Sequence, residues 1–203
     1  MNFLRDVRTF SQKSLRRVET TVVTSGGQKF MECRLDNGKF KLSDTGERCM
    51  GFCGDYKPDL QVACVRPWIL LSSQDVAADY DLLVENKVTH ILNVASLVDN
   101  HFEDDFIYLK LEILDIPETD ITRYFDQCFK FIDEAKSSNG VVLVHCNAGV
   151  SRSASIIIGY LMHTENISLE DCLETLKEIR PGIRPNAGFM SQLQGYEIMN
   201  KKW

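Results

Sequence analysis

The chain lacks the features by which membrane-bound and secreted proteins are usually identified. Its longest apolar stretch, residues 156–162, falls well short of the roughly 18 residues needed to cross a bilayer. The first eight residues contain no apolar core suited to a secretory signal, and neither end carries a lipidation motif. The sequence therefore predicts no membrane partner.

An excess of positive charge and a disulfide pattern are also missing. The 23 Lys and Arg against 29 Asp and Glu give a net charge of −6, which argues against nucleic-acid binding. Seven cysteines are an odd number with irregular spacing, which favours reduced thiols in the cytosol or nucleus. Cys49 and Cys53 have no second ligand pair with suitable spacing, so we expect no metal or other cofactor.

Apolar strands and amphipathic helices alternate regularly after residue 65. We expect strands at 68–71, 89–94, 106–114 and 140–145, and helices at 75–85, 121–136, 153–163, 168–179 and 187–200. In the first helix, Val76, Tyr80 and Leu83 have the spacing of an inward face. Such alternation predicts an α/β fold, with a mainly parallel central sheet of about five strands covered by helices on both faces.

The composition changes near residues 58–68, which separates an N-terminal extension, 1–60, from a domain at 61–203. Within the extension, residues 3–17 are typical of a basic amphipathic helix. Two short apolar runs on either side of Ser25-Gly26-Gly27 predict a hairpin with strands at 20–23 and 29–33. Residues 36–59 hold charges and turn formers without clear periodicity, and we expect them to be irregular.

One short polar loop, between a buried strand and a buried helix, carries most of the chemistry. Loop amides and a helix N-terminus converge there and favour negative charge, and such a setting favours the nucleophilic thiolate of Cys146. Arg152 can donate to two oxygens of one phosphate, and Gly149 permits a tight loop. These features predict a covalent phosphate-monoester hydrolase. The full run is His145-Cys146-Asn147-Ala148-Gly149-Val150-Ser151-Arg152-Ser153.

This run resembles the Cys-x5-Arg signature of the cysteine-dependent protein phosphatases, and residues 65–200 resemble their small, atypical dual-specificity branch. Cys146 would be the nucleophile that forms a cysteinyl-phosphate intermediate, and Arg152 would bind phosphoryl oxygens in both steps. Ser72 occupies a position where the branch usually has glycine. This difference affects the expected turn but not the residues expected to carry the chemistry. The candidate substrate-binding residues are Asn147, Ala148, Gly149, Val150, Ser151 and Arg152.

The leaving oxygen needs a proton, and Asp115 is our candidate for the general acid. It lies 31 positions before Cys146, a separation that resembles the acid-to-nucleophile spacing of the family. Three other carboxylates compete with it. Asp120 is more simply read as a helix N-cap, Asp126 as a solvated helical residue, and Glu118 can also reach the cleft.

Several polar residues are expected to support the loop. His145 is a tempting base, but successive strand residues point to opposite faces, so we expect it behind the loop, hydrogen-bonded to backbone. Ser151 and Ser153 either bond the thiolate or cap the helix, and the resemblance gives Ser153 a role in breaking down the intermediate. Asn186 is expected to cap the last helix, with or without a second role in supporting the loop.

The loop sequence also narrows the substrate class. Asn147 and Val150 occupy places where lipid phosphatases of this chemistry tend to have lysines, and Ser151 replaces a glycine found in glucan phosphatases. Phosphorylated proteins, with phosphotyrosine and phosphoserine or phosphothreonine, are therefore the expected partners. Segments 89–95, 114–119 and 186–190 resemble members of the branch that regulate stress-activated MAP kinase pathways, which implies those kinases or their upstream kinases as partners. The alternative is a kinase-pathway scaffold with minor catalysis.

Overall fold

The computed structural model describes residues 20–23, 28–34, 40–48 and 58–200. The chain divides into two compact units, residues 1–58 and residues 59–203. The expected basic helix at 3–17 and the pair Cys49 and Cys53 lie outside the described residues.

The first unit contains a three-stranded antiparallel sheet in the order β1-β2-β3. Strand β1 (Thr20–Val23) pairs with β2 (Gln28–Arg34), which pairs with β3 (Phe40–Arg48). The third strand contradicts the expectation that residues 36–59 are irregular. Its charged sequence has weak strand propensity, and backbone pairing with β2 supplies what the local sequence does not.

The second unit is built on a five-stranded sheet in the order β4-β5-β8-β6-β7. Strand β4 runs antiparallel to β5, and the pairs β5·β8, β8·β6 and β6·β7 are parallel. This confirms the expected α/β fold with a mainly parallel sheet. The strands are β4 (Ala63–Arg66), β5 (Ile69–Ser72), β6 (His90–Asn93), β7 (Ile107–Lys110) and β8 (Val142–His145).

Helices connect these strands and close the second unit. They are α1 (Gln74–Ala77), α2 (Tyr80–Glu85), a 3-10 turn (Thr122–Tyr124), α3 (Phe125–Ser137), α4 (Arg152–Glu165), α5 (Leu169–Ile179) and α6 (Ala187–Asn200). No helix in the described ranges is long and apolar enough to cross a membrane.

Three expectations for this unit were wrong in detail. The helix expected at 75–85 is broken into α1 and α2, because Asp79 is extended and its side chain accepts a hydrogen bond from the Leu82 amide, which starts a new helix. Tyr80, expected to face inward, is 43% exposed. The strand expected at 106–114 ends at Lys110, so the segment that leads to Asp115 is an extended loop.

Successive side chains of the central strands point to opposite faces of the sheet and pack into two separate hydrophobic cores, one on each face. In β5, Ile69 and Leu71 pack into the larger core with α3 to α6, whereas Leu70 packs with α1 and α2. Helix α4 runs through the larger core, and eleven of its fourteen residues are buried. A helix that is apolar on every side is stable only when it is enclosed, and this enclosure fixes the helix N-terminus at the end of β8.

Candidate active site

The Cys146 loop lies at the carboxyl edge of the parallel sheet, where ligands of such folds usually bind. It begins directly after β8, which lies between β5 and β6 in the sheet, and it ends where α4 begins at Arg152. The N-terminus of this fourteen-residue helix therefore points its positive end at the loop.

Five consecutive backbone carbonyls of the loop accept hydrogen bonds from N–H groups behind it. All peptide bonds in the described residues are trans, and a trans unit places its N–H opposite its C=O. The amides of residues 148–152 therefore face the other side of the loop and form an anion cradle. The carbonyls of Asn147, Ala148, Gly149, Val150 and Ser151 accept, in order, from Gln74 N at 3.0 Å, Arg180 Nη2 at 2.9 Å, Arg180 Nε at 2.9 Å, Arg184 N at 2.9 Å and Ser155 N at 2.9 Å.

Gly149 is required at the bend of this loop for two reasons. Its φ of +64° lies in the left-handed region that side chains disfavour. A Cβ there would also lie 2.5 Å from the carbonyl carbon of Ser72 and 2.8 Å from Arg180 Nη2. The loop can therefore pack against β5 only with glycine at this position.

Cys146 lies at the base of the cradle with its side chain 1% exposed. Its Sγ is 3.2 Å from Ser153 Oγ, in the first turn of α4. His145 is also buried, and its Nδ1 lies 3.4 Å from the Cys146 carbonyl oxygen. Burial lowers the pKa of His145 to about 4, so the ring is neutral near pH 7 and is enclosed behind the loop.

Arg152 is 7% exposed, and its guanidinium is held by three hydrogen bonds. Nη1 donates to the Ile113 carbonyl at 3.0 Å and to Ser96 Oγ at 3.3 Å, and Nη2 donates to Asn147 Oδ1 at 2.6 Å. A guanidinium has five N–H groups, so Nε–H and one Nη2–H remain. Nε is buried without a hydrogen-bond partner among the described residues, which suits it to a phosphoryl oxygen.

Asp115 lies directly beside this guanidinium, with its Oδ2 3.4 Å from Arg152 Nε. Its other oxygen, Oδ1, accepts from Ser151 Oγ at 2.7 Å and from Asn186 Nδ2 at 2.8 Å. The segment before α3, the Cys146 loop and the start of α6 therefore converge on one carboxylate. Both hydrogen bonds end on Oδ1, so Oδ2 is the oxygen of Asp115 that can carry a proton.

Ser151 and Asn186 both differ from simple helix caps. Ser151 occupies the N-cap position of α4 but makes no side-chain capping bond, because its hydroxyl donates to Asp115. Asn186 caps α6, since its Oδ1 accepts from Phe189 N at 2.9 Å, and its Nδ2 also donates to Asp115 Oδ1 at 2.8 Å. The amide of Asn186 in turn donates to Ser151 Oγ at 3.2 Å, which closes the network.

The structure does not bring the competing carboxylates into this network. Asp120 Oδ1 accepts from the backbone amide and the hydroxyl of Thr122, at 3.1 and 2.7 Å, beside the start of the 3-10 turn. The N-cap of that turn is Ile121 and not Asp120. Asp126 lines a separate cleft between α3 and α4, together with Phe129 and His163. Glu118 is exposed on the loop after Asp115.

Arg180 and Ser96 contact the site although the sequence did not predict a role there for either side chain. Arg180 follows a helix and precedes a proline, which is a common way to end a helix, and the pattern says nothing of the loop carbonyls that it binds. Ser96 has no local signal at all, because its contact with Arg152 spans 56 positions. No group of three or more His, Cys, Asp or Glu in the described part of the chain is placed to hold a metal ion.

The loop thus brings together a buried thiol, a row of backbone amides, an arginine with two unused N–H groups and an adjacent carboxylate. Residues 69–199 match the family described as dual specificity phosphatase, catalytic domain. The chain belongs to this family, and it is a dual-specificity protein phosphatase.

Similar proteins align with most of the length of this chain. It is 48% identical to mouse dual specificity protein phosphatase 19 over 195 residues, which cover 95% of this chain and 88% of that protein. It is 41% identical to dual specificity protein phosphatase 1 of Arabidopsis thaliana, over 70% of this chain and 72% of that one. The crystal structure of the human tyrosine phosphatase-like serine/threonine/tyrosine-interacting protein is similar, with a TM-score of 0.66 and 35% identity over 68% of this chain and 97% of that one.

Proposed function

We propose that this phosphatase hydrolyses phosphotyrosine and phosphoserine or phosphothreonine in proteins through a cysteinyl-phosphate intermediate. The observation that carries the proposal is the network in which the Asp115 carboxylate lies 3.4 Å from the Arg152 guanidinium, beside the loop that begins at Cys146. Nucleophile, anion-binding groups and a proton donor are the parts that such a reaction needs.

In the first step, Cys146 Sγ attacks the phosphorus and the bond to the ester oxygen breaks. The amides of residues 148–152 and the free donors of Arg152 stabilise charge on the phosphoryl oxygens. Protonated Asp115 gives its proton to the departing ester oxygen, so the leaving group is a neutral alcohol or phenol.

In the second step, the Asp115 carboxylate removes a proton from water, and the water oxygen attacks the phosphorus. The S–P bond breaks, which releases inorganic phosphate and restores the Cys146 thiolate. The hydroxyl of Ser153, 3.2 Å from Sγ, donates to the sulfur as negative charge returns to it. His145 takes no proton in either step.

The proposal extends to signalling through stress-activated MAP kinases or their upstream kinases, in the cytosol and the nucleus. It rests on the resemblance of segments 89–95, 114–119 and 186–190 to stress-kinase regulators, and on an odd set of cysteines that suits a reducing compartment.

The mechanism is tested with two variants on two substrates. Cys146→Ser should abolish turnover of para-nitrophenyl phosphate while the phosphothreonine peptide still binds. Asp115→Asn should slow a phosphothreonine peptide, a poor leaving group, by about a hundredfold, and the activated aryl ester far less. An equal loss on both substrates would move the acid role from Asp115 to Glu118 or Asp120. Undiminished turnover by the serine variant would refute covalent catalysis by Cys146.

Partners are tested by substrate trapping in a cell lysate. Cys146→Ser or Asp115→Ala should retain phosphorylated stress-activated kinases, and free orthovanadate should release them because it occupies the cradle. Kinases that remain bound in vanadate would support the scaffold alternative and count against these kinases as substrates.

A further inference from the structure

Arg180, at the end of α5, holds the Cys146 loop from behind. It is 3% exposed, and it donates to the carbonyls of Gly149 and Ala148, both at 2.9 Å. Each of these carbonyls belongs to a peptide unit whose N–H faces the cradle. The direction of two adjacent anion-binding amides therefore depends on where the Arg180 guanidinium lies.

The guanidinium is itself positioned by the segment that begins the second unit. Arg180 Nη2 forms a short ion pair with the carboxylate of Asp59, and Nη1 donates to the Gln61 carbonyl at 3.1 Å. Within the described residues, Asp59 is the carboxylate in ion-pair distance of Arg180. A buried cation requires such a partner, so the pair sets the charge balance behind the loop.

Asp59 is fixed in turn by the first turn of α1. Its carbonyl accepts from Ser73 Oγ at 2.7 Å, and its amide donates to Asp75 Oδ2 at 2.9 Å. The carboxylate is half-exposed, with 44% of the side chain accessible, yet its backbone is held on both sides. It therefore acts as a fixed point for the guanidinium and is more than an incidental surface charge.

We propose that Asp59 is a positioning residue for catalysis, which acts through Arg180 to aim the amides of Gly149 and Val150 at the phosphoryl group. This inference rests on the proposed function of the Cys146 loop. It also assigns a task to the short segment that follows the first unit directly in the chain, since residues 59–61 supply both the carboxylate and the carbonyl that hold Arg180.

The test compares Asp59→Asn with the wild type in the full-length chain. The neutral amide keeps the shape but loses the charge, so Arg180 is less firmly held. We expect KM for para-nitrophenyl phosphate and the Kd of orthovanadate to rise about tenfold, with a smaller change in kcat. Asp59→Glu should recover part of the loss, because a longer carboxylate can still reach the guanidinium.

Glu165→Gln is the matched control. Glu165 pairs with Arg66 through bonds of 2.9 and 2.6 Å, between β4 and the end of α4, and both side chains are partly exposed. Only Asp59→Asn should weaken vanadate binding, and it should also lose more stability in urea, because Arg180 is more deeply buried than Arg66. Equal vanadate affinity in the two variants would overturn the proposal. A wild type that neither binds vanadate nor turns over aryl phosphate would instead overturn the proposed function.

Discussion

A methyl group added at Gly188 should reduce catalysis through the loop that carries Asp115. Gly188 is the second residue of α6. A Cβ built there would lie 2.5 Å from Pro117 Cα and 2.6 Å from its carbonyl carbon, whereas ordinary contact begins at 3.4 Å. Relief of this overlap requires the loop to retreat by about 1 Å, and Asp115 lies only two residues away.

The loop cannot absorb this movement at its far end. Gln192, on the same helix, accepts from the Ile121 amide at 2.7 Å and donates to the Thr119 carbonyl at 2.9 Å. The displacement is therefore directed toward Asp115. A misplacement of 1 Å in a catalytic group can cost about a hundredfold in rate, and overpacking costs about 1–3 kcal/mol in stability.

The assay measures kcat of Gly188→Ala on a phosphothreonine peptide and on para-nitrophenyl phosphate, with urea unfolding in parallel. We expect about a hundredfold loss on the peptide and a smaller loss on the aryl ester, whose leaving group needs less protonation. Gly195→Ala is the control on the same helix. A Cβ there meets nothing within 4 Å, so this variant should keep full activity and gain up to about 1 kcal/mol.

Two outcomes would refute this reasoning. If Gly188→Ala retains the wild-type rate on the peptide, the contact with Pro117 does not position the acid. If both substrates slow equally, the damage lies in the phosphate cradle and not in the proton transfer.

Three further predictions follow from the buried polar groups around the loop. Burial lowers the pKa of His145 from 6.5 to about 4. As the pH falls, His145 is therefore protonated in the unfolded chain before it is protonated in the folded one. The free energy of unfolding should fall by about 3 kcal/mol between pH 6.5 and 4, and His145→Asn should flatten this part of the urea-measured profile. Ser153→Ala should slow breakdown of the intermediate, which rapid mixing would detect as a burst of product before a slow steady state; a uniform slowing without a burst would contradict this role. Burial raises the pKa of Cys128 and of Cys172 to about 12, so mild peroxide should oxidise Cys146 before either, as peptide mass spectrometry can determine.

Local patterns were sufficient to predict the elements that form the core. The apolar run before His145, the helix after Arg152 and the motif between them all depend on residues adjacent in sequence. The parallel sheet followed from the alternation of strands and helices, and it placed the loop at the correct edge. These are features in which propensity, periodicity and burial agree.

Contacts between distant residues could not be predicted in this way. The pairing of β3 with β2 is set by backbone hydrogen bonds, which the charged sequence of β3 does not reveal. The break at Asp79 depended on a single side chain that caps a new helix, within a pattern that otherwise continued. The ion pair of Asp59 with Arg180 joins residues 121 positions apart, and neither residue has a sequence context that suggests the other.

The donors behind the Cys146 loop also determine when a newly made chain can become an enzyme. Cys146 leaves the ribosome before Arg180 and Arg184, whose N–H groups hold three of the loop's carbonyls. Until those residues have been synthesised and have bound the loop carbonyls, the peptide units lack the contacts that orient their amides. A chain stalled on the ribosome before residue 184 should therefore hold its cysteine without the means to bind phosphate. Activity should then arise late and abruptly during synthesis.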